Sequence, residues 1–264
     1  MIETGISKMD ELLVGGIPEG KSLAYYIQPG VDGEIFGLQT IYNTLKNGGT
    51  GVFVVSSVSP DDIRNNIRDI NPSYEQDKDR LFFVDGYNPL IGNPSKEKYV
   101  ISNPYNIEDI SNTIINLLKE LPPSTIVFGS LSTIMDLCGE KETIEAVKTW
   151  NNMAKLYEHV LVYNFTAWSY SPETLDLIKN KLFNAVITIG GIAGYVIFSQ
   201  YFGILKLDWK NETQETISLE PECSDDFQGM GVGSPKSRPY LEYEIEDANV
   251  RIVRENNMMG FPSF

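Results

Sequence analysis

Histidine is almost missing from this sequence: His159 is the only one in 264 residues. Metal centres that use imidazole call for several such side chains, so His159 reads as a structural residue and no metal site is expected. Cysteine is nearly as scarce, and Cys138 and Cys223 lie too far apart in sequence to outline a disulfide framework or a ligand set. The expectation is two unpaired thiols in a reducing compartment. Positive charge is also short: 21 Lys and Arg stand against 36 Asp and Glu, a net charge of −15. Binding to a nucleic acid backbone depends on Lys and Arg displacing counterions, so nucleic acid is excluded as an expected partner. No apolar run approaches the roughly 20 residues of a membrane helix, and the mean hydropathy is −0.18. The opening Met1-Ile2-Glu3-Thr4-Gly5 has no basic stretch leading into an apolar one, so the expected location is the cytoplasm, without a membrane partner.

What is present is an alternation of β-branched apolar runs with helical patterns, the signature of a parallel sheet with crossover helices. Strands are predicted over Ser22–Ile27, Thr50–Ser56, Leu81–Asp85, Thr125–Phe128, Val160–Phe165 and Ala185–Ile189. Helices are predicted over Phe36–Lys46, from Ser59 to about Ile70, over Ile107–Leu121, Glu142–Glu158 and Pro172–Phe183. Ser59-Pro60-Asp61-Asp62 is the clearest start, with a serine cap, a first-turn proline and acids that suit the helix dipole. From about residue 195 the pattern turns to short extended segments, Gly203–Asp208, Ile217–Glu220, Tyr240–Ile245 and Val250–Val253, which suggest antiparallel strands added to one edge. Residues 1–253 are thus expected to form one domain and 254–264 a tail.

Between Tyr87 and Asn106 the chain is rich in Pro, Asn and Gly and is predicted to be a long surface loop. Tyr87, Tyr99 and Tyr105 in or beside it are candidates for a partner surface, with packing onto the core as the other reading. In the tail, Met259, Phe261 and Phe264 are candidates for docking onto a protein partner or a second copy, against the alternative of an unstructured terminus.

The segment Thr4-Gly5-Ile6, followed by Asp10-Glu11-Leu12-Leu13-Val14-Gly15-Gly16-Ile17-Pro18-Glu19-Gly20, resembles the opening of KaiC-like ATPases of the RecA superfamily. In that family the opening leads to a strand, a glycine-rich phosphate loop of the form GPPGTGKTT, a helix with ALQ, and a strand with VFV followed by two acids. Here the same order runs through Ser22–Ile27, Gln28–Glu34, Leu38-Gln39 and Val52-Phe53-Val54. Thr125-Ile126-Val127-Phe128-Gly129-Ser130-Leu131-Ser132 resembles the Walker B strand, and the likeness continues more weakly to about Asp208. The resemblance implies a RecA-like α/β fold, a mainly parallel sheet with helices on both faces and antiparallel C-terminal strands. It also implies a tendency to form homo-oligomeric rings.

At the chemical positions the sequence departs from the pattern. A phosphate loop needs backbone N–H groups around the phosphates, a lysine, and a hydroxyl on Mg²⁺. Aligned on Pro29-Gly30 and Leu38-Gln39, the lysine position is Gly33 and the hydroxyl position is Glu34; one residue over, they are Glu34 and Ile35. Neither register supplies a cation, and Asp32 adds a second carboxylate. One like-charge contact at about 4 Å opposes binding by roughly 4 kcal/mol at an effective dielectric near 20. The two catalytic acids fall near Ser57 and Val58, and the Walker B aspartate falls at Gly129, beside Ser130. None of these can activate water or hold a metal shell.

A literal GxxxxGKS occurs at Gly15–Ser22, but a helical segment precedes it and the strand Leu23–Ile27 follows, the reverse of the arrangement that presents a helix N-terminus to phosphate. The expected function is therefore a catalytically inactive, regulatory or scaffolding module that binds protein and carries no cofactor. A non-hydrolysing nucleotide or small-molecule binder using a nest at Gly30 and Gly33 is the alternative, and an ATPase using Gly15–Ser22 ranks last.

Overall fold

The structure is a computed structural model that describes residues 1–70, 74–193, 198–209, 240–246 and 249–256. Ten strands form one sheet in the order β10-β9-β8-β7-β1-β6-β5-β2-β3-β4. Its parallel part comprises β1 (Ser22–Ile27), β2 (Gly51–Val55), β3 (Leu81–Asp85), β4 (Tyr99–Val100), β5 (Thr125–Phe128), β6 (Val160–Thr166) and β7 (Ala185–Ala193). Strands β8 (Phe198–Leu207), β9 (Tyr240–Glu246) and β10 (Asn249–Asn256) extend it antiparallel from β7. The predicted segment Ile217–Glu220, Cys223 and the tail residues Met259, Phe261 and Phe264 lie outside the described residues.

Successive strand side chains point to opposite faces, so a buried parallel strand feeds two cores at once. Leu23, Tyr25, Ile27, Phe53, Val55, Val127 and Val162 face one side. There they pack under α1 (Ser7–Leu12), α2 (Glu34–Lys46) and α3 (Pro60–Ile70). Ala24, Tyr26, Val52, Val54, Phe128, Leu161 and Tyr163 face the other. They meet α6 (Ile107–Glu120), α7 (Leu131–Cys138), α8 (Glu140–Leu156) and α9 (Pro172–Asn180). On the first face Phe36 of α2 meets Tyr243 of β9 edge-on at 5.2 Å, which ties the antiparallel extension to the helix after β1.

Helix boundaries follow their caps. Ser59 Oγ accepts from Asp62 N at 3.1 Å ahead of α3, Asn106 Oδ1 accepts from Glu108 N at 2.8 Å at α6, and Ser171 Oγ accepts from Thr174 N at 3.2 Å at α9. The predicted long loop requires a correction. Residues 87–106 contain the one-turn helix α5 (Tyr87–Leu90) and the edge strand β4, and polar groups fasten them down. The sequence pattern likewise does not indicate the short helix α4 (Tyr74–Asp77), which lies ahead of β3. Fully buried Asp85 accepts from Asn88 N at 3.0 Å, Asn88 Nδ2 at 2.6 Å and Ser95 Oγ at 2.6 Å. Arg64 on α3 donates to both carboxylate oxygens of Glu97 at 2.7 Å. A short polar segment without periodicity hid these contacts, because each partner lies elsewhere in the chain.

Candidate functional site

The parallel strands all end on one side of the sheet, where open α/β sheets place their ligand sites. The β1–α2 loop, the residues after β2 and the residues after β5 meet this side. Strand β6 lies between β1 and β5, so the loop after β1 and the end of β5 are two strands apart.

The β1–α2 loop spans Gln28 to Gly33 and contains no Lys, Arg, Ser or Thr. Pro29, Gly30 and Asp32 are exposed, and Gly33 is buried as the N-cap of α2 without a side-chain capping bond. A Cβ at Gly33 would come within 2.5 Å of Ile27 Cγ1, so the side chain at the end of β1 fills the space in which any larger residue would start. Gly30 has φ +82° and open surroundings, a turn position that suits glycine. Gln28 is anchored away from the loop: its Nε2 donates to Tyr201 Oη at 2.9 Å and its Oε1 accepts from Gly191 N at 3.2 Å.

Glu34 opens the first turn of α2, a favourable place for a carboxylate near the helix dipole. Glu34 is exposed, yet partial desolvation of its carboxyl pushes its pKa up, and the charge of Asp32 pushes the same way. Asp32 also helps raise the phenol of Tyr243, whose main cause is burial. The rim of this loop is therefore negatively charged, with carboxylates that interact unfavourably with one another.

After β2, Ser57 is exposed and Val58 packs half-buried against the first core. After β5, Gly129 is buried, and a Cβ there would meet Phe53 Cε1 at 2.7 Å and Val54 O at 3.1 Å. Ser130 serves as the N-cap of α7, its Oγ accepting from Thr133 N at 3.1 Å, and its carbonyl accepts from Ser56 Oγ at 3.2 Å. Sequence reasoning passed over α7, reading Leu131-Ser132 as a motif terminus and starting the next helix only at Glu142. It also passed over Asn164, which is 2% exposed on β6 between β1 and β5, donates to Gly129 O at 3.4 Å, and has an Oδ1 without a partner. A polar residue inside the otherwise apolar run Val160–Phe165 was the available signal.

Of the three loop tyrosines, only Tyr105 is freely available, at 63% exposure. Tyr99 is a correction: as part of β4 it turns inward to 8% exposure, and Tyr87 packs half-buried against the first core. Trp168, in the turn after β6, is 66% exposed and was not anticipated. Cys138 Sγ at the end of α7 donates to Pro104 O at 3.4 Å, beside Tyr105. Tyr170 Oη donates to Ser132 O at 3.2 Å and to Asp136 at 2.9 Å, so the Trp168 turn is fastened to the same helix.

The literal GxxxxGKS at Gly15–Ser22 lies at the opposite end of the sheet. It follows α1 and leads into β1, with Gly20 N donating to His159 O at 3.1 Å.

Among solved structures, a crystal structure of a KaiC-like protein from the hyperthermophilic archaeon Pyrococcus horikoshii OT3 is similar with a TM-score of 0.68. The match covers 96% of this chain and 98% of that one at 19% identity, a likeness of fold. A UPF0273 protein of Saccharolobus solfataricus is 31% identical over 137 residues, 50% of this chain and 49% of the relative. A UPF0273 protein of Methanopyrus kandleri is 29% identical over 136 residues, 50% of this chain and 54% of the relative. The chain thus matches about half the length of these curated relatives. Residues 2–166 match the family model described as "ATPase: KaiC", and the chain belongs to that family.

Proposed function

We propose that this KaiC-family chain does not hydrolyse nucleotide and acts as a regulatory or scaffolding module that binds protein. The observation that carries the reading is the β1–α2 loop, where two carboxylates, Asp32 and Glu34, stand without a side-chain cation or hydroxyl. The residues present do not fit a magnesium-bound triphosphate. Phosphate oxygens would meet like charge, and neither Gly129 nor Ser57 and Val58 can supply a carboxylate to a metal or to water. Packing supports the same reading, since the hydrogen positions of Gly33 and Gly129 point at Ile27 and Phe53.

The surface that would serve a protein partner flanks α7. Tyr105 and Trp168 are exposed in loops that hydrogen bonds fasten to this helix, and exposed aromatic side chains on anchored backbone suit recognition at low entropic cost. Self-association through the same surface or through the tail is the related possibility this reading includes.

A thermal-shift titration with ATP and ADP in the presence of Mg²⁺ tests the proposal. No Mg²⁺-dependent rise in Tm is expected. A Mg²⁺-dependent rise without phosphate release would favour a retained ligand at the Gly30–Gly33 loop, and a rise with phosphate release would overturn the proposal.

A further inference from the structure

A second hollow lies at the amino-terminal end of the sheet. The start of β1, the C-terminal half of α8 and the turn between α9 and β7 enclose a cleft of about 380 Å³, within the size range of small-molecule sites. Lys21, Lys148, Lys155 and Lys181 line it, and among the described residues Asp208 is the one acid of its wall. Lys148 and Lys155 are two turns apart on α8 and so share a face. In a chain of 36 acids and 21 bases, four lysines around one hollow run against the average charge.

Two of these four lysines are paired with acids and two are not. Lys148 pairs with Glu145 at 2.7 Å and Lys181 with Asp176 at 4.0 Å, both acids standing outside the wall, while Asp208 is 3.2 Å from Lys206. Among the described residues Lys21 and Lys155 make no ion pair. The residue before Lys21 packs against Lys155. Gly20, at φ +72°, lies so close that a Cβ on it would be 3.2 Å from Lys155 Cα. Two lysines without an ion pair therefore start from adjoining segments, and Lys148 and Lys181 line the same cleft.

We propose that this cleft binds a small phosphate-bearing anion through Lys21, Lys155, Lys148 and Lys181. Several lysines lining one hollow suit a multiply charged anion. Among the described residues the wall's one aromatic residue is Phe183, at 1% exposure, and it offers no ring face to a nucleobase. The site is independent of the β1–α2 loop, from which the six residues of β1 separate it by about 20 Å.

The test is calorimetric titration of inorganic pyrophosphate, and separately of citrate, into the full chain at about 50 mM salt with EDTA, which removes any metal-dependent binding at the other end of the sheet. One saturable pyrophosphate site is expected, tighter than any for citrate. Lys155→Gln/Lys181→Gln, two exposed positions, should weaken it by about tenfold or more with the melting curve retained. Lys96→Gln/Lys119→Gln, remote from the cleft, should leave it unchanged. No saturable heat up to about 5 mM pyrophosphate, citrate binding in preference, or equal affinity in the Lys155→Gln/Lys181→Gln variant would each overturn the assignment.

Discussion

At Gly33 and Gly129 the missing side chain is a packing requirement. Overpacking a close-fitted site costs about 1–3 kcal/mol, and Gly129 has Phe53 and a backbone carbonyl of β2 within 3.1 Å of where a Cβ would stand. Gly129→Asp should accordingly lower stability by about 1–3 kcal/mol in urea unfolding, without creating metal-dependent phosphate release. Glu34 makes the opposite kind of prediction. Its pKa is raised by partial desolvation and by Asp32, and because the residue is exposed the ionised form is only mildly disfavoured in the fold. That cost is absent below the unfolded carboxylate range, near pH 4, and is fully present above the raised folded value. Glu34→Gln should therefore raise Tm at pH 7, and the gain should vanish as the pH falls to about 4. The carboxylates of this loop were legible in the sequence because they depend on residue identity alone. The reason for the glycines was not, since it depends on where the side chains of Ile27 and Phe53 lie in the folded chain.

Between elements, His159 joins three pieces of structure. It is fully buried, its Nδ1 accepts from Ser124 N at 3.1 Å just before β5, and its Nε2 is 2.8 Å from Leu118 O near the end of α6. The neutral tautomer that donates from Nε2 satisfies both contacts, and burial lowers the pKa below the usual imidazole value. A depressed base contributes stability above its unfolded pKa, near 6.5, that is lost as the pH falls through the folded value. Unfolding free energy should thus decline below about pH 6.5, and His159→Gln should flatten that part of the profile while lowering stability at pH 7. A cap gives a second measurement: Ser130→Ala should cost about 1 kcal/mol by removing the acceptor at the start of α7. Long periodic helices and continuous apolar strands were readable, and β1, β3 and β5 span the predicted residues. Helix α7 was hidden by an apolar start that resembled a strand motif, and β4 by its two-residue length.

Over the whole molecule, charge is distributed by sheet end. The carboxyl ends of the strands carry Asp32 and Glu34 on the loop where the family binds phosphate, and the amino ends carry a four-lysine cleft. Lysines 148, 155 and 181 were visible only as solvated helix and loop charges, because nothing local in the sequence brings α8 against Gly20 and Lys21. The exposed Tyr105 and Trp168 beside α7 offer a surface whose loss should not unfold the chain. Tyr105→Ala/Trp168→Ala should leave Tm unchanged while abolishing any native self-association or partner capture detected by native mass spectrometry. The account rests most heavily on the absence of hydrolysis, and release of inorganic phosphate from ATP with Mg²⁺ measures it directly. The predicted result is a rate indistinguishable from protein-free buffer at every protein concentration. Release that grows in proportion to protein concentration would contradict the account.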